Sequence, residues 1–424
     1  MLVCIVAEIE VMEKAILVTV DMKERSEWTL EARAAELKEL ARSSGASVAA
    51  EMLCCKEKPS PDLFIGKGKF EELQQLLSRE KANLVIFNND LTPTQLRNIE
   101  RGLEDTRTID RTQLILDIFA RNARSVEGKV QIELAQLEYL LPRLTGKGIH
   151  LSRLGGGIGT RGPGEKILEY DRRRIRDQIA KLKRKLEDIE KRRAALRKRR
   201  SDAFLTTLAI VGYTNAGKTT LLNQLTNSKK LVADRLFSTL DPIARSYVLP
   251  NHQKILFLDT VGFLHNLPHH LVEAFKSTLE EVATADILLH VLDASSEKIH
   301  DEDEAVYKVL KELGAENKII INVLNKIDLV NDPGRINRLK KDFEDSVAVS
   351  SLTGAGMPGL IDEISALLSS LVTDIKVDIP NHRMDLVNMV YENGRVNHRE
   401  DKPDSVYLEA TIPVRLTQKI FLDK

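Results

Sequence analysis

Gly212-Tyr213-Thr214-Asn215-Ala216-Gly217-Lys218-Thr219 reads GxxxxGK[ST], a glycine-rich loop set after an apolar run and before a helical one. Its glycines let backbone N–H groups converge on phosphate, and the following helix N-terminus adds positive potential. On its own the string is a weak signal, because it asks only for two glycines, a lysine and a hydroxyl. Two more strings follow in order, Asp259-Thr260-Val261-Gly262 and Asn325-Lys326-Ile327-Asp328, each after a predicted strand. Together the three predict a guanine-nucleotide site on a doubly wound α/β sheet, the P-loop GTPase fold.

Each residue type in these strings suits one task. Lys218 is expected to reach the β- and γ-phosphates, and the Thr219 hydroxyl to ligate Mg²⁺. Thr239, within Phe237-Ser238-Thr239-Leu240-Asp241, is the candidate second Mg²⁺ ligand from a switching loop. Asp259 ends an apolar strand and can hold the metal through water. Gly262 can donate its N–H to the γ-phosphate and sense its loss. The Asp328 carboxylate can accept from guanine N1–H and N2–H₂, an arrangement adenine lacks, while Asn325 is expected to help fix the base and the loop and the Lys326 stem to pack on the ring. Ser350-Ser351-Leu352, after the last predicted strand of this domain, is placed to offer a backbone N–H to guanine O6. Lys218, Thr239 and Gly262 are the residues expected to act on the reacting phosphate.

One position departs from the common pattern. Many GTPases place a glutamine after DxxG to orient the attacking water; here the residue is Phe263, which cannot bond water. Slow hydrolysis by the protein alone is expected, with acceleration when a partner orders the loops. His265, His269 and His270 lie nearby in sequence, though surface histidines are common. Asn215 resembles the asparagine with which some glutamine-less GTPases bind K⁺; tying down the loop is its other expected role.

The whole chain bounds the rest. Its 424 residues hold 63 Lys+Arg against 63 Asp+Glu, so any charge message lies in local clusters. Cys4, Cys54 and Cys55 have no metal-ligand spacing, and a reducing, cytoplasmic setting is expected. The apolar Leu2–Ala7 run is broken by Glu8 and Glu10 and reads as a strand or extension rather than a signal peptide. No apolar run is long enough for a membrane span.

Residues 14–110 alternate strand and helix patterns (Ala15–Val20, Leu30–Ala41, Ser47–Leu53, Phe70–Leu77, Leu84–Phe87, Leu96–Leu103) and predict a small parallel α/β domain. Within it Gly66-Lys67-Gly68-Lys69 reads as a strand-to-helix turn rather than a phosphate site. Residues 111–200 predict an antiparallel helical hairpin: Val130, Leu134, Leu137, Leu141 and Leu144 are spaced 4-3-4-3, and Ile175, Ile179, Leu182, Leu186, Ile189 and Leu196 continue that alternation with Arg193 in one slot. Between the arms six glycines fall within Gly155–Gly164, too many for regular structure. Arg172–Arg200 carries fifteen Lys and Arg against four Asp and Glu, an excess of eleven positive charges. Such one-signed charge beside a flexible basic tip with Arg153 and Arg161 points to RNA or DNA rather than to a solvated face. The loop has no aromatics for base stacking, so backbone contacts are expected. Residues 204–372 form the nucleotide domain, and 376–424 a small α+β appendage of βαβ type.

The chain resembles the HflX family of ribosome-associated GTPases over nearly its whole length. The resemblance is carried by Asp110-Arg111-Thr112 to Phe119-Ala120, Glu127-Gly128-Lys129-Val130-Gln131, Leu134-Ala135-Gln136-Leu137, Pro142-Arg143-Leu144, Gly155 to Glu165, Asp171-Arg172-Arg173-Arg174, Phe237–Pro242 and Asp259 to Pro268. It implies a GTPase that binds the large (50S) ribosomal subunit with its hairpin directed at rRNA, splits stalled ribosomes and is stimulated by them; a monomer is expected when the protein is alone. Lys166-Ile167 replaces the family's usual Thr-Gln, and the segment after Val414 is short for the family. A GTP-stabilised RNA-binding assembly factor with incidental hydrolysis is the alternative, and ribosome-dependent turnover separates the two. A GTPase of tRNA modification fits less well, for want of a terminal cysteine signature.

Overall fold

The computed structural model describes residues 13–22, 28–104, 106–144, 163–202, 205–226, 236–237, 243–250, 253–265, 276–369 and 372–422. The Leu2–Ala7 run and the glycine-rich tip up to Gly162 lie outside these residues, while Gly164, expected in irregular structure, falls in the first turn of a helix that starts at Pro163. The described residues fall into two compact units. The first lies within Met1–Glu187 and also takes in Leu236 and Phe237; the second holds the remainder from Asp188 onward.

In the first unit β1 (Lys14–Asp21), β2 (Ser47–Cys55), β3 (Leu84–Phe87) and β4 (Arg107–Asp110) form a parallel sheet in the order β2-β1-β3-β4. Helices α1 (Leu30–Ser43), α2 (Lys67–Glu80), α3 (Pro93–Gly102) and α4 (Arg111–Asn122) connect or follow the strands. β1 and β3 are buried on both faces, which is why they read as continuous apolar runs. Helix starts follow local chemistry. Thr29 caps α1, Thr92 and Gln95 form a capping box on either side of Pro93, and the Asp110 carboxylate caps α4.

Asp110 does more than cap. It is fully buried and accepts from Gln113 N (2.9 Å), Tyr139 Oη (2.7 Å) and Arg143 Nη2 (3.0 Å), so it ties α5 (Val126–Arg143) to the end of β4. The Arg143 guanidinium stacks 3.4 Å over the Tyr139 ring. Arg111 pairs with buried Glu36 at 2.6 Å and donates to Asn88 at 2.8 Å. The Asp110-Arg111-Thr112 and Pro142-Arg143-Leu144 strings are therefore packing devices of this unit. Beyond Pro142, in the last turn of α5, a helix spans Pro163–Asp202. Val130, Leu134 and Leu182 pack together with Leu137, Ile179 and Leu186, six of the residues named by the 3/4 spacing.

The second unit is built on a six-stranded sheet, β10-β9-β8-β5-β7-β6, from β5 (Thr206–Gly212), β6 (Ile243–Val248), β7 (Lys254–Asp259), β8 (Ile287–Asp293), β9 (Ile319–Asn325) and β10 (Ser346–Ala348). All neighbours are parallel except β6 on β7. β5 and β8 lie at its centre, so the loops after β5, β7 and β9 emerge at the carboxyl edge, where such sheets bind ligands. Leu208, Ile210, Phe257, Ile287 and Leu289 of the sheet pack with Leu221, Leu225, Leu360 and Ile364 of the flanking helices.

The C-terminal appendage differs from the βαβ expectation. β11 (Val372–Pro380), β12 (Arg395–Asp401) and β13 (Ser405–Pro413) form an antiparallel sheet in the order β11-β13-β12, backed by helices Met384–Asn393 and Val414–Leu422. β12 is almost wholly exposed and reads RVNHRED, so it shows no apolar alternation, and the strand that makes β13 central leaves no mark in the pattern. No described helix is long and apolar enough to cross a membrane.

His290 lies fully buried in β8, with Asp303 Oδ1 3.4 Å from its Nδ1 and the Tyr307 ring edge-on. Burial pulls its pKa down to about 4, with Asn322 opposing and Lys218 adding to the fall. A folded pKa below the ordinary value near 6.5 means that the neutral ring stabilises the fold above about pH 6.5. That stability, about 3 kcal/mol, is lost as pH falls toward about 4. Burial pushes Asp303 up to about 6, so it runs the other way and makes the wild-type curve shallower. His290→Leu should accordingly gain on wild type by about that amount between pH 7 and pH 4 in urea unfolding; a constant offset across that range would contradict it.

Candidate nucleotide site

The phosphate loop leaves β5 at Gly212 and closes where the helix Lys218–Thr226 begins. Two glycines are dictated by space. Gly212 has φ +150° and a Cβ there would meet Val291 O at 2.3 Å; Gly217 has φ +95° and a Cβ would meet Asn325 Nδ2 at 2.3 Å. Asn215, between them, is also left-handed at φ 62°. Lys218 is buried, and its Nζ donates to Gly212 O (3.0 Å) and Tyr213 O (2.6 Å). Burial lowers its pKa to about 8, against the raising pull of Asp259, with Lys326 adding to the fall. An ammonium so placed is held by two carbonyls that phosphate oxygens can replace.

Thr219 and Asp259 meet at the carboxyl edge of the sheet. The Thr219 hydroxyl donates to Asp259 Oδ2 at 2.8 Å, and Asp259 is fully buried at the end of β7. This pair of hard oxygens beside the phosphate loop fits the donor set Mg²⁺ prefers. The chain then runs through Thr260, whose hydroxyl donates to Ile210 O at 2.7 Å, and Val261 to Gly262. A Cβ on Gly262 would stand 2.9 Å from Thr214 Cα and 3.0 Å from Lys218 Nζ.

Asn325 is the cross-brace. It is buried, donates from Nδ2 to Ala216 O (2.8 Å), and accepts at Oδ1 from Ser351 N (3.0 Å) and Ser351 Oγ (2.8 Å). One side chain thus joins the phosphate loop to both base-side loops. Lys326 is left-handed at φ 62° and its Nζ pairs with Asp293 at 2.7 Å. Ile327 and Asp328 sit on a short 3₁₀ turn, and Asp328 accepts from Ser350 Oγ at 2.5 Å. The Ser351 N–H is committed to Asn325, while Leu352 is 76% exposed.

Gly212 to Thr219, Asp259 to Gly262, Asn325 to Asp328 and Ser350 to Leu352 are therefore brought to one edge of one sheet. Phe237 belongs to the first unit. It packs within the first unit, edge-on to Phe119 at 4.5 Å, with its carbonyl accepting from Asn122 at 2.8 Å, and the neighbouring Leu236 N–H donates to Ser43. Ser238, Thr239, Leu240, Asp241, His269 and His270 lie outside the described residues. Sequence reasoning missed the pairing of Phe263 with the phosphate loop. Phe263 is buried and forms a parallel bridge with Tyr213, a contact of backbones that leaves no mark in residue type.

Comparison with known families and proteins agrees along the chain. Residues 31–120 match the family described as GTP-binding GTPase N-terminal, and 122–200 the GTP-binding GTPase middle region. Residues 207–326 match the 50S ribosome-binding GTPase family and 336–420 the HflX C-terminal domain. The chain is 45% identical over 409 residues to GTPase HflX of Caldanaerobacter subterraneus, covering 96% of this chain and 93% of that protein. It is 41% identical to GTPase HflX of Escherichia coli K12, covering 89% of each. Among solved structures, a GTP-binding protein of the archaeon Sulfolobus solfataricus in complex with GDP matches at 26% identity and TM-score 0.43, over 85% of this chain and all of that one.

Proposed function

From the premise that the chain belongs to the HflX family of ribosome-associated GTPases, which hydrolyse GTP, we propose that it couples GTP binding and hydrolysis to engagement of the large ribosomal subunit. In this reading the helical arm meets rRNA, and stalled ribosomes are split or recycled. The observation that carries it is the charge on the helix Pro163–Asp202. Arg172–Arg200 holds fifteen Lys and Arg against four Asp and Glu in a chain with no net charge. Each phosphate neutralised there releases counterions, so binding should weaken steeply as salt rises.

The site residues divide the work. The loop N–H groups and Lys218 hold the phosphates, and Asp328, Asn325 and the Lys326 stem hold guanine. Thr219 would hold Mg²⁺ directly and Asp259 through water, with Thr239 as the further ligand. The metal supplies charge neutralisation on the β- and γ-oxygens. Asn215 is the proposed K⁺ ligand, and exchange of K⁺ for Na⁺ should slow partner-free turnover. Gly262 reports the γ-phosphate through its N–H. Phe263 is buried and offers no group to orient water, so the partner must complete the site.

Single-turnover hydrolysis with and without purified large subunits tests this. Stimulation of roughly 10³-fold is expected, the scale on which partner-supplied groups act in such sites. Sucrose gradients should show intact ribosomes coming apart with a non-hydrolysable GTP analogue. A flat rate would instead favour an RNA-binding assembly factor for which GTP is a folding ligand.

A further inference from the structure

The residues after DxxG are zipped to the phosphate loop. Phe263 N–H donates to Gly212 O (3.1 Å), and Thr214 N–H donates to Phe263 O (2.8 Å). Two residues further along, the His265 N–H donates to the Tyr213 phenol oxygen at 2.9 Å. The zip is dry: Tyr213 is 7% exposed, Phe263 and Leu264 1%. β5 and β7 pair in register from Thr206↔Ile255 to Ile210↔Asp259, and the Tyr213–Phe263 bridge resumes the pairing beyond them. Gly262 lies between these two stretches, and a Cβ there would stand 2.9 Å from Thr214 Cα and 3.0 Å from Lys218 Nζ, so only the bare backbone fits beside the ammonium.

A γ-phosphate must take hydrogen bonds from Lys218 Nζ and from Gly262 N–H at once, so it has to lodge between them. A diphosphate asks less, since the loop N–H groups and Lys218 suffice for its terminal phosphate. From this we propose that Tyr213 is a positioning residue that sets the preference between GTP and GDP. Its hydroxyl pins His265, and through the zip it holds Gly262 down on Lys218, against entry of the γ-phosphate. GTP binding must loosen the pin; GDP binding need not. This rests on the assignment of Gly212–Thr219 and Gly262 to the phosphates.

The test is the ratio of affinities for GDP and a non-hydrolysable GTP analogue, by competition against a fluorescent guanine nucleotide in the full chain. Tyr213→Phe keeps the ring and removes the hydroxyl. It should raise the affinity for the analogue relative to that for GDP about three- to tenfold, the worth of one hydrogen bond. His265→Pro removes the donor from the other side and should give the same change, with no further gain when the two are combined. An unchanged ratio in both variants, or equal weakening of both nucleotides, overturns the pin. If the wild type binds neither nucleotide, the phosphate assignment itself falls and the pin with it.

Discussion

Asp328→Asn is expected to abolish useful binding of GTP and to create binding of xanthosine triphosphate. The carboxylate stands on the turn after β9, oriented by Ser350 Oγ at 2.5 Å, beside the loop that Asn325 fixes. In the proposed site it accepts two donors from guanine, and hydrogen bonds to a charged group are worth about 1.5–3 kcal/mol each. An amide turns a donor toward guanine's N2–H₂, so affinity should fall by roughly 10²- to 10⁴-fold. Xanthine carries a carbonyl at that position and can accept from the new amide. Titration of both nucleotides against wild type and variant checks the inversion, and parallel losses for the two would refute it.

Asn325→Ala should cost both affinity and stability. Its three hydrogen bonds join Ala216 of the phosphate loop to Ser351 of the base-side loop, in a place where Asn325 is 1%, Ala216 2% and Ser351 3% exposed. Truncation leaves a buried carbonyl and a buried N–H without their partner, a cost of about 2–5 kcal/mol. Urea unfolding should show that loss, and GDP should bind more weakly because the two loops are no longer braced. Retention of both properties would show that Asn325 is only a neighbour of the site.

Much of this site is legible in the amino-acid sequence, because its chemistry is written in contiguous strings. A phosphate loop needs glycines at fixed offsets, and the fold shows why: Gly212 meets Val291 O and Gly217 meets Asn325 Nδ2 where a Cβ would stand. Asp259 and Thr219 are far apart in sequence, yet each stands at the end or beginning of a recognisable element, so their meeting at 2.8 Å is the expected one. The Tyr213–Phe263 zip is not legible, because backbone pairing asks nothing of residue type. Nor is the packing of Phe237 on Phe119, since the loop reads only as a candidate metal-binding segment.

The fold shows the same division. β1, β3, β5 and β8 are buried on both faces and announce themselves as apolar runs. Edge strands β6 and β12 are mostly exposed, and β12 is charged, so neither has a periodic pattern to find. Asp110, Tyr139 and Arg143 meet through tertiary packing alone; their strings suggest a family, and only the folded chain shows the buried carboxylate that holds them together.

In the proposed function, the state of the guanine-nucleotide pocket governs how firmly the cationic arm holds ribosomal RNA. Co-sedimentation with purified large subunits at fixed salt decides this, comparing protein loaded with a non-hydrolysable GTP analogue, with GDP, or with no nucleotide. Tighter binding with the triphosphate analogue than with GDP or without nucleotide is the predicted result. Equal retention of all three would contradict the account.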